Sequence, residues 1–388
     1  MKAGWQVKTL NQIAENLDNK RIPITKSDRI EGIYPYYGAS GIVDYVGSYI
    51  FDCDALLISE DGANLLARST PIAFPASGKY WVNNHAHIIK FDNLITQRFV
   101  ELYLESIALD DYITGAAQPK LNQKALNSIP IPVPPIQEQQ RIVAILDQAF
   151  EGIAKARANA EQNLQSARAL FESHLQSVFS VRPELVEGRG EGWVYSTLKD
   201  ISVEFGRGKS KHRPRNDPKL YSEGKYPFIQ TGEIRNCNHL ITSYSQTYNE
   251  IGLAQSKLWP KGTLCITIAA NIAETGILAF DSCFPDSVIG VVVDEKKTSI
   301  KFLEYLLQSF KALLKSKGQG SAQDNINLGT FEHQLFPFPP ICKQQSFVTK
   351  LDSLREETQR LETLYQRKIN LLDELKKSLL QQAFAGEL

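Results

Sequence analysis

The chain has 388 residues, with 43 Lys plus Arg against 43 Asp plus Glu, so its formal net charge is zero. This length is too great for one ordinary core and predicts two domains with connecting structure. No apolar run approaches the ~20 residues that cross a bilayer, and the first residues lack the apolar stretch of a signal peptide. Five scattered cysteines without CxxC spacing indicate reduced thiols rather than a zinc site, so a cytoplasmic protein is expected.

Residues 1–134 are predicted to form a compact α+β domain. Short β-type runs, Tyr49–Phe51 and Ala55–Ile58, are separated by turn residues such as Asp61-Gly62. A proline-rich joint at Pro130–Pro135 ends this region, because proline lacks a backbone N–H and has a fixed φ.

Residues 135–180 are predicted to form a central spacer helix. Its apolar residues recur mostly at spacings of three and four: Leu146, Ala149, Ile153, Ala156, Ala160, Ala167 and Leu170. Forty-odd helical residues span roughly 60 Å at 1.5 Å each. A charged linker is expected over 181–192, where Pro183 breaks the helix.

The second half of the chain repeats this plan. A second domain is predicted over 193–339, with β-type runs Leu264–Ile268 and Val288–Val293, and a second spacer helix over 340–388. An a/d heptad is predicted for this helix, completed less well by Thr358, Tyr365 and Lys368; its main positions are Leu351, Leu354, Leu361, Leu372, Leu375 and Leu379. We expect the alanine-rich and leucine-rich helices to pair antiparallel within the chain, with parallel dimerisation of two chains as the alternative.

An internal repeat supports this organisation. Gly4-Trp5 corresponds to Gly192-Trp193 at an offset of 188, and Tyr34-Pro35 corresponds to Tyr226-Pro227. From Gly115 to Asp147 the register holds at an offset of 205, with 13 identical residues in 33. The second copy therefore carries longer loops. One of them holds a basic run from Arg207 to Lys219, in which clustered Lys and Arg favour phosphate contact, although a solvated loop is the alternative.

Three motifs resemble catalytic or metal sites, but other interpretations of them are favoured. Arg207-Gly208-Lys209-Ser210 lacks the upstream glycine of a P-loop. His85 and His87 have no visible third metal ligand and are interpreted as surface polar residues. Pro285-Asp286 followed by Asp294-Glu-Lys296 resembles a nuclease Mg²⁺ motif, and this leaves a stand-alone Mg²⁺-dependent DNA nuclease as the alternative function.

The order of motifs, repeated twice, resembles the specificity subunit of type I restriction–modification systems. The resemblance rests on Trp–Thr–Leu, Tyr–Pro, Gly-x-Ala-Gln, the helix entry Pro134–Asp147 and the C-terminal segment Ser378–Leu388. It covers essentially the whole chain. It implies two target-recognition domains of like fold, separated by a pair of long antiparallel coiled-coil helices with a pseudo-twofold internal repeat.

The resemblance also implies a function. Each domain would read one half of a bipartite double-stranded DNA site, and the helices would act as a ruler for the unread spacer and dock two N6-adenine methyltransferase (modification) subunits. Restriction subunits, which are ATP-dependent translocases and nucleases, would join that complex. S-adenosylmethionine, ATP and Mg²⁺ would then belong to the partners, and the chain itself would hold no cofactor, no metal and no catalytic residue.

Polar and basic loop residues are the candidates for DNA contact. Arg suits guanine and Asn or Gln suits adenine, while other residues would hold phosphates. An ordinary exposed side chain is the alternative at each position. The candidates are Tyr37, Ser40, Asn64, Asn83, Asn84 and Lys120 in the first domain, and Lys209, Lys211, Arg213, Arg215, Gln230, Arg235 and Asn271 in the second.

Overall fold

The computed structural model describes residues 4–115, 117–179, 192–269, 273–318 and 328–388, and the fold is α+β, as predicted. Its residues form two compact units, Met1–Gln162 with Tyr365–Leu388, and Asn163–Leu364. Nearly all of the predicted linker, and the candidate Asn271, lie outside the described residues. The assignment of 1–134 and 193–339 as target-recognition domains stays a prediction.

The first part of the chain builds three small sheets with strand orders β1-β10, β2-β9-β6-β7 and β4-β3-β8-β5. The strands are β1 (Gln6–Lys8), β2 (Glu15–Asn16), β3 (Glu31–Gly38), β4 (Gly41–Val46), β5 (Phe51–Asp52), β6 (Ala55–Ser59), β7 (Ala73–Ala76), β8 (Lys79–Val82), β9 (Ala86–Lys90) and β10 (Ile131–Val133). The helices are α1 (Leu10–Ile13), α2 (Asn64–Ala67), α3 (Leu94–Ser106), α4 (Gln123–Ser128) and α5 (Ile136–Phe179). Strand β6 is buried along its whole length, as a continuous apolar run at the centre of a domain should be.

The second part of the chain builds sheets with strand orders β11-β19, β12-β18-β16-β17-β14 and β13-β15. The strands are β11 (Val194–Ser196), β12 (Ser202–Arg207), β13 (Tyr226–Phe228), β14 (Leu240–Ile241), β15 (Gln246–Tyr248), β16 (Leu264–Thr267), β17 (Thr275–Leu278), β18 (Val288–Val293) and β19 (Phe336–Phe338). The helices are α6 (Thr231–Asn236), α7 (Glu250–Ala254), α8 (Ile300–Gly318), α9 (Leu328–Glu332) and α10 (Ile341–Ala385).

The central sheets of the two domains have the same strand order. The order β2-β9-β6-β7 in the first corresponds to β12-β18-β16-β17 in the second, which adds β14 at one edge. Strands β1 and β10 pair antiparallel with Gln6 opposite Val133, and β11 and β19 pair with Val194 opposite Phe338. These equivalent residues differ by the two offsets of the repeat, 188 and 205, so the predicted duplication of one fold is confirmed.

Helices α5 and α10 pair antiparallel within each unit. In the first unit, Arg141 of α5 donates a hydrogen bond to the carbonyl of Leu388 at 2.6 Å, and Arg157 forms an ion pair with Asp373. In the second unit, Arg168 of α5 lies 3.1 Å from Glu362 of α10. Rising numbers on α5 meet falling numbers on α10, so the predicted antiparallel pairing is confirmed.

The predicted apolar faces of the two helices are wrong at Leu170 and Leu375, which are 51% and 47% exposed. Some buried residues recur at spacings of eleven: Ile142, Ile153, Leu164 and Leu175 on α5, and Thr358, Ile369 and Leu380 on α10. Eleven residues in three turns give 3.67 residues per turn, close to the natural 3.6 of an α-helix. Others, Leu146, Ile153, Ala160 and Ala167, are buried at spacings of seven, so both spacings occur on α5.

Among the described residues, no helix is both long enough and apolar enough to cross a membrane.

Candidate nucleic-acid interface

Four loops of the first domain converge at one place. The loop that follows β6 connects to two others through its backbone, because Glu60 N–H donates to the carbonyl of His85 at 2.9 Å and Leu121 N–H donates to the carbonyl of Glu60 at 2.8 Å. The hydroxyl of Ser59 also donates to the carbonyl of Ala39, in the β3–β4 turn. All six sequence-predicted residues of this domain lie on or beside these loops, which we call the first-domain loop cluster (residues 37–40, 59–64, 83–87, 114–115 and 117–121).

The β3–β4 turn and the β8–β9 turn supply four of the predicted residues. Ser40 and Asn84 are exposed, and Tyr37 is half-buried. Tyr37 packs on Phe74 and Tyr80, and burial raises the pKa of its hydroxyl. Asn83 is buried, and its side chain accepts a hydrogen bond from the backbone of His85 at 2.8 Å. Ser40 and Asn84 are therefore better placed for contact with a ligand than Asn83.

Asn64 and Lys120 flank the other side of the loop cluster. The amide of Asn64 closes its own loop, since it donates to the carbonyl of Thr70 and accepts from Ser69 and from the backbone of Thr70. Lys120 is exposed, and its ammonium lies 3.2 Å from the carboxylate of Glu60. Lys120 is thus the cation that this cluster presents to solvent.

A buried polar network supports the loop cluster from below. His87 is only 1% exposed; its Nδ1 lies 2.5 Å from Asp18 and its Nε2 lies 2.7 Å from the carbonyl of Leu121. Arg21 lies 2.6 Å from Glu60, on the other side of the network. The interpretation of His87 as a surface residue is wrong, because pairing of β9 with β2 and β6 brings it against residues distant in sequence.

The charges in this network control the protonation of its acids. Burial alone would raise the pKa of Asp18, but the hydrogen bond and charge of His87, together with Arg21, hold that pKa below its usual value. Burial likewise opposes ionisation of Glu60, and Arg21, His87 and Lys120 lower its pKa. Asp18, Glu60 and His87 place ligand atoms within 4.8 Å of one another, the spacing of a possible metal site. However, His87 and Arg21 already use these oxygens, so the contacts describe an ion-pair network.

The basic run of the second domain is anchored to the segment that follows α7 and to the segment that precedes β18. The backbone N–H of Lys211 donates to the side chain of Gln255 at 2.6 Å, and the carbonyl of Lys209 accepts from Ser256 at 2.8 Å. A Cβ at Gly208 would lie 2.3 Å from the carbonyl oxygen of Phe284, so only glycine fits this close approach. The glycine of the P-loop-like motif therefore has a packing role.

Two arginines of this run meet one carboxylate. Arg215 lies 2.6 Å from Asp286 and Arg213 lies 3.9 Å from the same group. Arg213 also donates to the carbonyl of Ser210 at 2.6 Å. The run presents cations to solvent, because four of its basic residues are exposed: Lys209, Lys211, Arg213 and Arg215.

Two polar clefts have Gln230 in their lining, and the smaller of them borders the basic run. The smaller has a volume of 210 Å³ and includes Arg215, Asn216 and Gln246. The larger has a volume of 710 Å³ and is lined mainly by amide and hydroxyl side chains, among them Asn236 and Asn238. Asn216, Gln246, Asn236 and Asn238 were missed by sequence reasoning, although the first lies within the basic run itself. Arg235 is exposed in the last turn of α6, beside the larger cleft.

The nuclease-like motif does not form a metal site. Asp286 precedes β18 and Asp294 follows it, so the two residues lie beyond opposite ends of a six-residue strand that spans about 20 Å at ~3.3 Å per residue. Asp286 is engaged by arginines, and Asp294 accepts a hydrogen bond from the backbone of Lys296 at 3.0 Å. Carboxylates so far apart cannot hold one Mg²⁺ ion.

Two domains of one fold, each with its own surface of polar and basic loops, define a two-domain recognition protein. Comparison with known proteins identifies its family. The family model described as the type I restriction modification DNA specificity domain matches residues 2–162 and 190–371. The chain belongs to this family, and its role is DNA sequence specificity.

Relatives and solved structures agree with this assignment. The chain is 28% identical to a putative type I restriction enzyme specificity subunit of Haemophilus influenzae, over 90% of this chain and 88% of the relative. It is 21% identical to the specificity subunit of the type I restriction enzyme EcoDI of Escherichia coli, over 100% and 89%. Its fold matches a chain from a study of complex assembly and conformational transition of the type I R-M system, with a TM-score of 0.76, 17% identity and coverage of 100% and 99%. It also matches the HsdS subunit from Thermoanaerobacter tengcongensis, with a TM-score of 0.63, 16% identity and coverage of 100% and 98%.

Proposed function

We propose that this chain reads a bipartite double-stranded DNA site, with one half-site for each domain. The observation that carries this proposal is that two domains share one sheet order but differ in their loop surfaces. Ser40, Asn84 and Lys120 mark the first surface, whereas arginines and Gln230 mark the second. A shared scaffold with different loops is what two unlike half-sites require.

We further propose that the chain has no catalytic role of its own and acts in a cytoplasmic complex. Its partners would be two modification (N6-adenine methyltransferase) subunits and ATP-dependent restriction subunits. The matched structure from a study of type I R-M complex assembly supports such an association. Any S-adenosylmethionine, ATP and Mg²⁺ would be bound by those partners.

The number of unread base pairs is proposed to depend on the lengths of α5 and α10, which have 44 and 45 residues. Because eleven residues make three turns of an α-helix, an insertion of eleven residues in both helices keeps each buried face in phase. Such an insertion adds about 16 Å at 1.5 Å per residue, and therefore about five base pairs at 3.4 Å each.

The test is methylome sequencing of the host with and without this gene, followed by complementation with variants. A bipartite adenine-methylated motif should disappear on deletion and return with the intact gene. Substitutions at Ser40 and Asn84 should relax one half of the motif, and substitution of Gln230 should relax the other. If no bipartite motif changes, or if every variant affects both halves equally, the proposal is wrong.

A further inference from the structure

Asp286 is the contact point of three arginines of the basic run in the second domain. Arg215 lies 2.6 Å from one carboxylate oxygen of Asp286, and Arg213 lies 3.9 Å from the other. Arg207 donates to the backbone carbonyl of the same residue at 2.7 Å. The carboxylate of Asp286 therefore pairs with two arginines of a segment that is proposed to contact DNA.

The exposure of these side chains makes the pairing exchangeable. The side chains of Arg213 and Arg215 are 56% and 49% exposed, and that of Asp286 is 38% exposed. An ion pair at this exposure is weak, because water screens both charges. A guanidinium pairs with phosphate oxygens as well as with a carboxylate, so a phosphate that displaces the Asp286 side chain can take its place at Arg215.

We propose that Asp286 is a positioning residue that competes with DNA phosphates for Arg213 and Arg215 and so suppresses binding to DNA of the wrong sequence. On random DNA, a phosphate contact gains little, because it must first displace the carboxylate. On the correct half-site, base contacts from the neighbouring clefts add to the exchange and make it favourable. This inference rests on the proposed DNA-reading function and adds the source of discrimination to it.

The first domain contains a comparable pairing. Lys120, whose side chain is 50% exposed, lies 3.2 Å from the carboxylate of Glu60. The net charge of the chain is zero, which is unusual for a protein that binds a polyanion. Pairing of acids with the basic residues proposed to contact DNA is consistent with this balance.

The experiment measures binding of the full chain to a duplex of random sequence, about 30 base pairs long, by fluorescence anisotropy over a range of salt concentrations. D286N keeps the size of the side chain and one acceptor oxygen but removes the charge. Affinity for the random duplex should rise about two- to fivefold at ~0.1 M salt, the range that an exposed ion pair is worth. The salt dependence should steepen by up to about one unit in the log–log slope, as one more phosphate contact forms.

Two controls separate this role from a change in net charge or in folding. E295Q makes the same change of charge at an exposed residue after the other end of β18, and it should leave affinity unchanged. In an R213Q/R215Q background, D286N should have no effect, because Asp286 acts only through these arginines. Equal gains from D286N and E295Q, or a gain from D286N that persists without the arginines, would overturn the inference.

The remaining outcomes distinguish this inference from the proposed function. If the wild-type chain binds the duplex at low salt but D286N does not bind it more tightly, the inference alone is wrong. If neither the wild type nor D286N binds any duplex at ~0.05 M salt, the DNA-reading function fails and the inference fails with it.

Discussion

Gln139 and Gln344 occupy equivalent places in the two copies and make the same hydrogen bond. Each side chain donates through Nε2 to the carbonyl of the proline five residues earlier, Pro134 at 2.8 Å and Pro339 at 3.1 Å. Both glutamines are buried at the joint where a proline-rich strand enters a long helix. The joint is thus built in the same way twice, and the Gln-Gln pair of the repeat has a structural role.

The two glutamines should differ in their contribution to stability. Oε1 of Gln344 accepts from the hydroxyl of Thr298 and the backbone N–H of Ser299, both at 3.0 Å, whereas Oε1 of Gln139 has no partner among the described residues. Q344A should lower the free energy of unfolding by about 2 kcal/mol and Q139A by about 1 kcal/mol, because the first leaves more buried groups without partners. Urea denaturation measures both values. Equal losses would contradict this assignment of the contacts.

Asp18 should stabilise the first domain in a pH-dependent way. Its pKa is lower in the folded chain than in the unfolded chain, so its stabilisation is complete above the unfolded value of about 3.9 and is lost as pH falls through the folded value. D18N should cost about 3 kcal/mol at neutral pH, because it leaves the buried His87 without its ionic partner.

The measurement for Asp18 is urea denaturation of wild type and D18N from pH about 7 to about 2. The difference in unfolding free energy should stay constant down to pH about 4 and shrink below it. D92N, at an exposed aspartate after β9, is the matched control and should show little effect at any pH. A loss in D18N that is the same at all pH values would show that the charge of Asp18 is not responsible.

The buried face of α5 can be tested with two leucines six positions apart. Leu164 is buried and Leu170 is half exposed, although the predicted apolar spacing of three and four placed Leu170 on the buried face. L164A should lower the free energy of unfolding by about 3 kcal/mol through the cavity that it leaves, and L170A should change it by less than about 0.5 kcal/mol. Thermal or urea denaturation measures the loss in each variant. A larger loss in L170A than in L164A would mean that Leu170, and not Leu164, lies on the buried face.

Lys120 should contact a DNA phosphate from the first domain and read no base. K120Q should weaken binding to DNA of any sequence and reduce the salt slope by about one unit, with little change in preferred bases. K90Q is the control, since Lys90 is exposed at the opposite end of β9 from the loop cluster. Titration of the full chain with duplex DNA over a salt series provides the slopes. An altered base preference in K120Q would instead make Lys120 a base-reading residue.

Much of the architecture followed from local features of the chain. The offsets of the repeat reappear in the pairing of β1 with β10 and of β11 with β19. The proline-rich joints were expected to stop regular structure, and that expectation is wrong, because Ile131–Val133 and Phe336–Phe338 pair as short strands. Helix propensity and apolar spacing placed α5 and α10 to within a few residues. The buried side of each helix was predicted less well from the sequence. A seven-residue and an eleven-residue spacing differ by only a fraction of a turn over short segments, so the sequence does not distinguish them there.

The candidate site was predicted as residue types on loops, and the sequence by itself determined that two unlike sets of such loops sit on one duplicated scaffold. Only the tertiary structure decided which charges meet. His87 contacts Asp18 across 69 positions, and Arg215 contacts Asp286 across 71. Strand pairing creates both contacts, and its partners cannot be read from local propensity, because the energy of a buried or paired charge depends on neighbours that are distant along the chain.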